Sequence, residues 1–171
     1  MSDGPGQGTG QWTSTANIIR VCVALAALAL PAASHAGDVD RLLERDAPPP
    51  GVVFEIIAWN DAFLQQALPR VRSDIARLRK RFPDMAFAVV SHGAEQFALL
   101  VDERFTYPLA HAVTRSLLAD NVPVHVCGTH ASWRGVSEED FPDYVDVAAS
   151  GPAQINDYLA LDYVLVRLTA D

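Results

Sequence analysis

The chain has 171 residues, half of them hydrophobic, enough for one domain with a true core plus an extra segment at one end. Twenty-one acidic against thirteen basic residues give a net charge of −8, and such a surface repels phosphate backbones. Nucleic acid and anionic lipid are therefore set aside as partners. There are two cysteines, Cys22 and Cys127.

Residues Ile18 to Ala36 read as a secretory signal. Arg20 supplies the basic charge, Val21 to Ala33 a short apolar stretch interrupted by Pro31, and Ser34-His35-Ala36 a small-x-small cleavage site before Gly37. The apolar stretch is shorter than the ~20 residues of a spanning helix. No stable membrane span is expected after cleavage, and the mature protein is expected in the periplasm. Met1 to Asn17 is a Gly/Ser/Thr-rich extension with no basic residue. Cleavage would remove Cys22 and leave Cys127 as the sole thiol, with no internal disulfide. The expected organisation is a signal with its extension over 1–36, a linker over 37–50 and one α/β domain over 51–171. Within the linker, Asp38 to Arg45 can form a short helix, which Pro48-Pro49-Pro50-Gly51 cannot continue.

Val52 to Trp59 is apolar apart from Glu55, the pattern of a strand covered on both faces. Asn60 or Asp61 can cap a helix running to Arg81 and punctuated by Pro69. Its bases, Arg70 to Arg81, alternate with Val71, Ile75 and Leu78, so they are expected to clothe its wet side. Met85 to Ser91 predicts a second strand, closed by His92-Gly93, with a helix from Ala94 to Leu100. Asp102 to Tyr107 reads as a loop, Pro108 as helix position N1 and Leu109 to Asp120 as a helix. Val122 to Cys127 is the third strand. Thr129 to Trp133 is a helical turn, and Ser137 caps a second one. Tyr144 to Ala149 is a fourth strand, Gly151 to Leu161 a helix and Tyr163 to Leu168 a fifth strand. This βαβαβαβαβ order predicts a three-layer α/β/α domain around a five-stranded, mainly parallel sheet.

In such sheets chemistry gathers beyond the carboxyl ends of the strands, where Cys127 falls. The thiol can act as a nucleophile, helped by the backbone N–H groups of Gly128-Thr129-His130 and by a hydrogen bond from Thr129. It can equally be a small buried residue. His92, at a neighbouring strand end, is a general base or thiolate partner, or else a hydrogen-bonded turn histidine. His125 shares a face with Cys127 and is expected to point into a helix layer or a subunit contact. Trp59, Trp133 and Phe105 can wall a pocket or pack in a core or oligomer contact. Glu55 is expected to pair with an arginine or histidine across a subunit interface in a structural role, with a perturbed carboxylate near the site as the alternative. His125, Cys127 and His130 together raise copper or zinc binding, but one cysteine falls short of a structural zinc set. Cys-x-x-Cys-His is absent, so a c-type haem is excluded, and no cofactor is expected.

Four blocks carry a family likeness: Val89-Val90-Ser91-His92-Gly93, Asn121 to Gly128, Gly135-Val136-Ser137-Glu138-Glu139-Asp140-Phe141-Pro142, and Ser150-Gly151-Pro152-Ala153-Gln154-Ile155. In this order and spacing the chain resembles the DsrE/DsrF-like proteins, in particular their secreted branch with one cysteine. It departs from them at Thr129, where asparagine is frequent, and at Asp162-Tyr163, where many members have Gly-Tyr. The resemblance implies a homotrimer or homohexamer and a cysteine that carries sulfur as a persulfide in sulfur oxidation or sulfur relay. Carried onto this chain, it implies a sulfur carrier or sulfurtransferase acting through Cys127, with His92 and Thr129 as helpers. Gly93, Gly128, His130 and Trp133 would contact substrate, and the partner would be a small sulfur species or a sulfur-carrier protein. The alternative is a non-catalytic ligand-binding or assembly module with a packed Cys127.

Overall fold

The computed structural model describes residues 35–170. All but the last two residues of the expected signal segment lie outside them, as does Cys22. No helix among the described residues is long and apolar enough to cross a membrane.

Five strands, β1 (Gly51–Ile57), β2 (Ala86–Ser91), β3 (Val124–Cys127), β4 (Asp146–Ala148) and β5 (Val164–Thr169), form one sheet in the order β4-β3-β2-β1-β5. Every pairing is parallel. The chain steps outward from β1 to β4 and then returns to place β5 on the other side of β1. Right-handed crossovers put the connections of these two opposite movements on opposite faces.

One face is thickly covered. The helices α1 (His35–Leu43), α2 (Leu64–Arg81) and α3 (Pro108–Ala119) pack there on Val52, Phe54, Ile56, Phe87, Val89, Val124 and Val166. In α2 the buried residues Leu64, Ala67, Leu68, Val71, Ile75 and Leu78 recur at helical spacing. The bases of this helix lie outside it, with Arg77 paired to Asp40 and Asp74. Pro69 does not interrupt the helix: it stands in the second turn and forfeits one backbone bond. Helix α1 changes the expected boundary. Its Val39 and Leu42 are buried in the same core, so part of the segment expected as a linker over 37–50 belongs to the domain.

The opposite face carries α5 (Gly151–Ala160) and a small cluster of Val53, Ala88, Val90 and Ile155, flanked by Tyr158, Tyr163 and Leu165. The connections at the carboxyl ends of the strands are short. Residues Ala94–Leu99 and Val101–Phe105, expected as a helix and a loop, are both 3₁₀ turns. The six-residue helix α4 (Gly128–Trp133) starts directly from β3, and Ser137 and Asp140 form a reciprocal capping box on the turn that follows it.

Candidate functional site

Register brings two rows of side chains across the thin face. Glu55 of β1 is the partner of Arg167 on β5 and of Val90 on β2, and Val90 is in turn the partner of His125 on β3. One period further along, past Ser91↔Val126, His92 comes beside Cys127. Alternation points both rows at α5.

The rows are joined by a polar chain. His92 Nε2 lies 2.7 Å from Glu55 Oε1, and Arg167 Nε donates to Glu55 Oε2. The hydrogen bond from His92, followed by the contact with Arg167, holds the Glu55 carboxyl below its ordinary value in spite of burial. An ionised carboxylate only accepts, so His92 Nε2 carries the proton and Nδ1 is left as the basic nitrogen. Glu55 therefore finds both of its expected kinds of partner, but within one chain rather than across an interface.

Cys127 is 4% exposed. Its Sγ accepts a hydrogen bond from His130 N at 3.4 Å, and its own N–H donates to Gln96 Oε1 at 2.7 Å. His130 Nδ1 lies 2.9 Å from the carbonyl oxygen of His92. A carbonyl accepts, so that nitrogen is protonated and ties α4 to the end of β2. Gly151 brings the start of α5 against both His92 and Cys127. A Cβ at that position would lie 2.4 Å from His92 Cβ and 3.3 Å from Cys127 Cβ.

Beside the thiol is a cavity of about 290 Å³. His92, Gly93, Cys127, Thr129, His130 and Trp133 all line it, and so do Trp59 and Ile57. Gly128 backs onto β4 instead, with Ala148 O 3.2 Å from where a Cβ would be. Thr129 departs from its expected role. Its hydroxyl donates to Ala149 O at 2.7 Å, so its hydrogen is not directed at the sulfur. Phe105, the third aromatic considered for a pocket wall, lies elsewhere under Arg104.

His125 faces α5 from the same strand. Its Nε2 is 2.8 Å from Tyr158 OH, and its Nδ1 is 2.8 Å from Asp146 Oδ2 without hydrogen-bond alignment. Burial pushes the imidazole down further than the charge of Asp146 raises it. With His125 and His130 held this way, the copper or zinc trio raised by the sequence is not assembled. Among the described residues no group of three or more His, Cys, Asp or Glu side chains is placed to hold a metal ion.

Two site residues escaped the sequence reading. The buried Glu95 accepts from Ala58 N at 2.6 Å, Ser91 Oγ at 2.7 Å and Gly93 N at 3.0 Å, clasping the ends of β1 and β2. Burial, the largest influence, still pushes its carboxyl up. Gly93 is required here, because a Cβ would meet Ala58 O at 2.5 Å. The other is Gln96, which holds the backbone of the cysteine. Their signal was a polar pair, Glu95-Gln96, inside the otherwise apolar run Ala94 to Leu100.

No family model and no curated protein matches the chain. Solved structures do match. A protein of unknown function from Methanobacterium thermoautotrophicum, MTH1491, has a TM-score of 0.56 at 20% identity over 68% of this chain and 97% of its own. The ychN protein from E. coli has a TM-score of 0.54 at 17% identity over 69% of this chain and 99% of its own. Both are DsrE-like folds, and the five-stranded parallel α/β architecture of this chain matches them.

Proposed function

We propose that this protein is a sulfur carrier of the sulfurtransferase kind, holding sulfane sulfur as a persulfide on Cys127. The observation that carries the reading is the order Glu55 on β1, His92 directly after β2 and Cys127 at the end of β3, three neighbouring strands. A carboxylate there fixes the tautomer of an imidazole set beside a thiol that opens on a cavity. His92 Nδ1 takes the thiol proton as the sulfur attacks, and returns it to the leaving group. The N–H of His130 donates to Sγ, an arrangement suited to a sulfur that becomes anionic. Gln96 and Gly151 act on position: one holds the cysteine backbone, the other lets α5 close over the pair.

The sulfur chemistry is suggested by the DsrE-like fold together with this site. Secretion into the periplasm is proposed from the Ile18 to Ala36 segment, and a homotrimer or homohexamer from the family resemblance. The partner is a small sulfur species or another sulfur carrier. A second reading, a ligand-binding module with an inert cysteine, is favoured by the 4% exposure of Cys127.

Intact mass after exposure to inorganic polysulfide, with Cys127→Ser alongside, decides between them. The carrier gains one sulfur atom, removable by reductant, in the parent only. No gain, with the folded thiol silent to iodoacetamide, would leave the binding module.

A further inference from the structure

The cavity is larger and less charged than an inorganic sulfur species requires. Its volume is about 290 Å³, whereas a water molecule, not much smaller than hydrosulfide, takes ~30 Å³ in the liquid. Among the residues lining it there is no lysine or arginine, and the whole chain carries −8. No permanently charged cation there meets a dianion such as thiosulfate.

What the lining offers is apolar surface. Ile57 and Pro152 contribute to it, together with two indoles: Trp59 from the turn after β1 and Trp133 from the end of α4. Trp59 is 88% and Trp133 77% exposed, whereas Phe54, Phe63, Phe82, Phe87, Phe97 and Phe141 are buried in the core of the thick face. An indole covers ~150–250 Å² when a partner lies on it, so two uncovered ones beside a nucleophile make a ready binding surface. His130 stands against Trp133, with ring centroids 5.6 Å apart, and so links that wall to the donor on Sγ.

We propose that the cavity binds the uncharged organic part of a small-molecule hydropersulfide, whose apolar or aromatic group lies on Trp59 and Trp133 while Cys127 removes the terminal sulfur. The inference rests on the sulfur-carrier reading and narrows its donor. The step is R–S–SH + Cys127–SH → R–SH + Cys127–S–SH. His92 takes the thiol proton, and the thiolate attacks the terminal sulfur. A new S–S bond forms as the S–S bond of the donor breaks, with its electron pair leaving on the inner sulfur. That thiolate takes the proton back from His92. One sulfane sulfur changes hands, and no external oxidant or reductant enters.

The test measures one-sulfur gain from benzyl hydropersulfide and from inorganic polysulfide in the parent, in Trp59→Ala, in Trp133→Ala and in the double variant. Both indoles are mostly in solvent, so their removal leaves the core intact. A parallel titration with benzyl methyl sulfide, which has no sulfur to transfer, follows indole fluorescence. The expected result is a ratio of organic to inorganic loading rates that falls about tenfold in the double variant, and a saturable fluorescence response to the thioether in the parent. An unchanged ratio would overturn the proposal. So would a smaller assembly on removing the indoles, which would assign them to contacts between copies. If neither donor loads the parent while the thioether still binds, the carrier reading and the transfer step fail together and the apolar site stands alone.

Discussion

The two faces of the sheet are built from the same strands and do different work. Toward α1, α2 and α3, alternate residues such as Phe54, Ile56, Phe87 and Val89 enter one continuous apolar core. Toward α5, the residues between them are Val53, Glu55, Val90, His92, His125 and Cys127, of which only the valines join a cluster. A period of two lets one strand serve both ends, with stability on one side and polar groups on the other. A thick face that supplies most of the burial leaves the thin face room for a carboxylate, two imidazoles and a thiol.

Val89 and Val90 test this contrast most directly, because they are adjacent, identical and fully buried on opposite faces. Val89→Ala should cost about 2–3 kcal/mol, since the three-helix side closes on the void only partly. Val90→Ala should cost roughly half as much, because one helix over a small cluster can settle. The thiol should feel only the second. Urea unfolding gives the two costs and the iodoacetamide rate gives the effect on the thiol; equal values for both variants would end the distinction.

Glu55→Gln comes next. The amide keeps the shape but removes the charge that Arg167 and His92 share, with an expected loss of about 1–2 kcal/mol and a slower sulfur gain at Cys127. Arg167→Met leaves the contact between Glu55 and His92 in place, and should cost less of both. If Glu55→Gln gains sulfur at the parental rate, the carboxylate serves the fold alone.

Acid should loosen the thin face in two stages. Burial lowers the His125 pKa, so the unfolded chain takes up a proton that the native state resists. The stability it contributes is present above its ordinary 6.5 and is lost as pH falls below that value. The pKa of Glu55 is also lowered, here by its partners; its contribution is present above 4.5 and is lost as pH falls through the native value. His111, on the buried side of α3, is pushed down by burial too and adds to the first stage from the thick side. Glu95 runs the other way: its raised pKa favours the native state at acid pH and weakens it as pH rises from 4.5. Urea midpoints followed across pH should show the first stage shrink in His125→Gln while the second remains. An unaltered first stage would assign it to His111.

Much of this architecture was legible because strands covered on both faces must be apolar and must end where Gly or Pro turns the chain. Val122 to Cys127 and Met85 to Ser91 show it, and they bring Cys127 and His92 to strand ends on the page. Their adjacency needs the register of β2 on β3, which no local pattern carries. The partners of Glu55 were hidden for the same reason: His92 is 37 residues away and Arg167 is 112, joined only when β5 returns beside β1. A short helix over Asp38 to Arg45 was legible, but its place in the core was masked by its polar side, since Val39 and Leu42 are a thin signal among Asp38, Asp40 and Arg41. Thr129 shows the opposite error, where proximity in sequence to Cys127 suggested a bond that tertiary structure spends elsewhere.

That residue gives the smallest expected effect. Ala149 O receives both Thr129 N at 3.1 Å and Thr129 Oγ1 at 2.7 Å, pinning the start of α4 to the segment that leads into α5. Thr129→Val removes the second bond and keeps the first, so the carbonyl stays satisfied and the cost should be about 0.5–1 kcal/mol. Because α5 closes over His92 and Cys127 through Gly151, a looser joint should show as slightly faster alkylation of the thiol, within about threefold. A hydroxyl that instead served the sulfur directly would give the reverse: stability near the parent's and a marked fall in sulfur gain. Measuring both quantities on Thr129→Val and Thr129→Ser tells the clasp from the helper, since serine restores the hydroxyl in either case and only the clasp depends on the bond to Ala149.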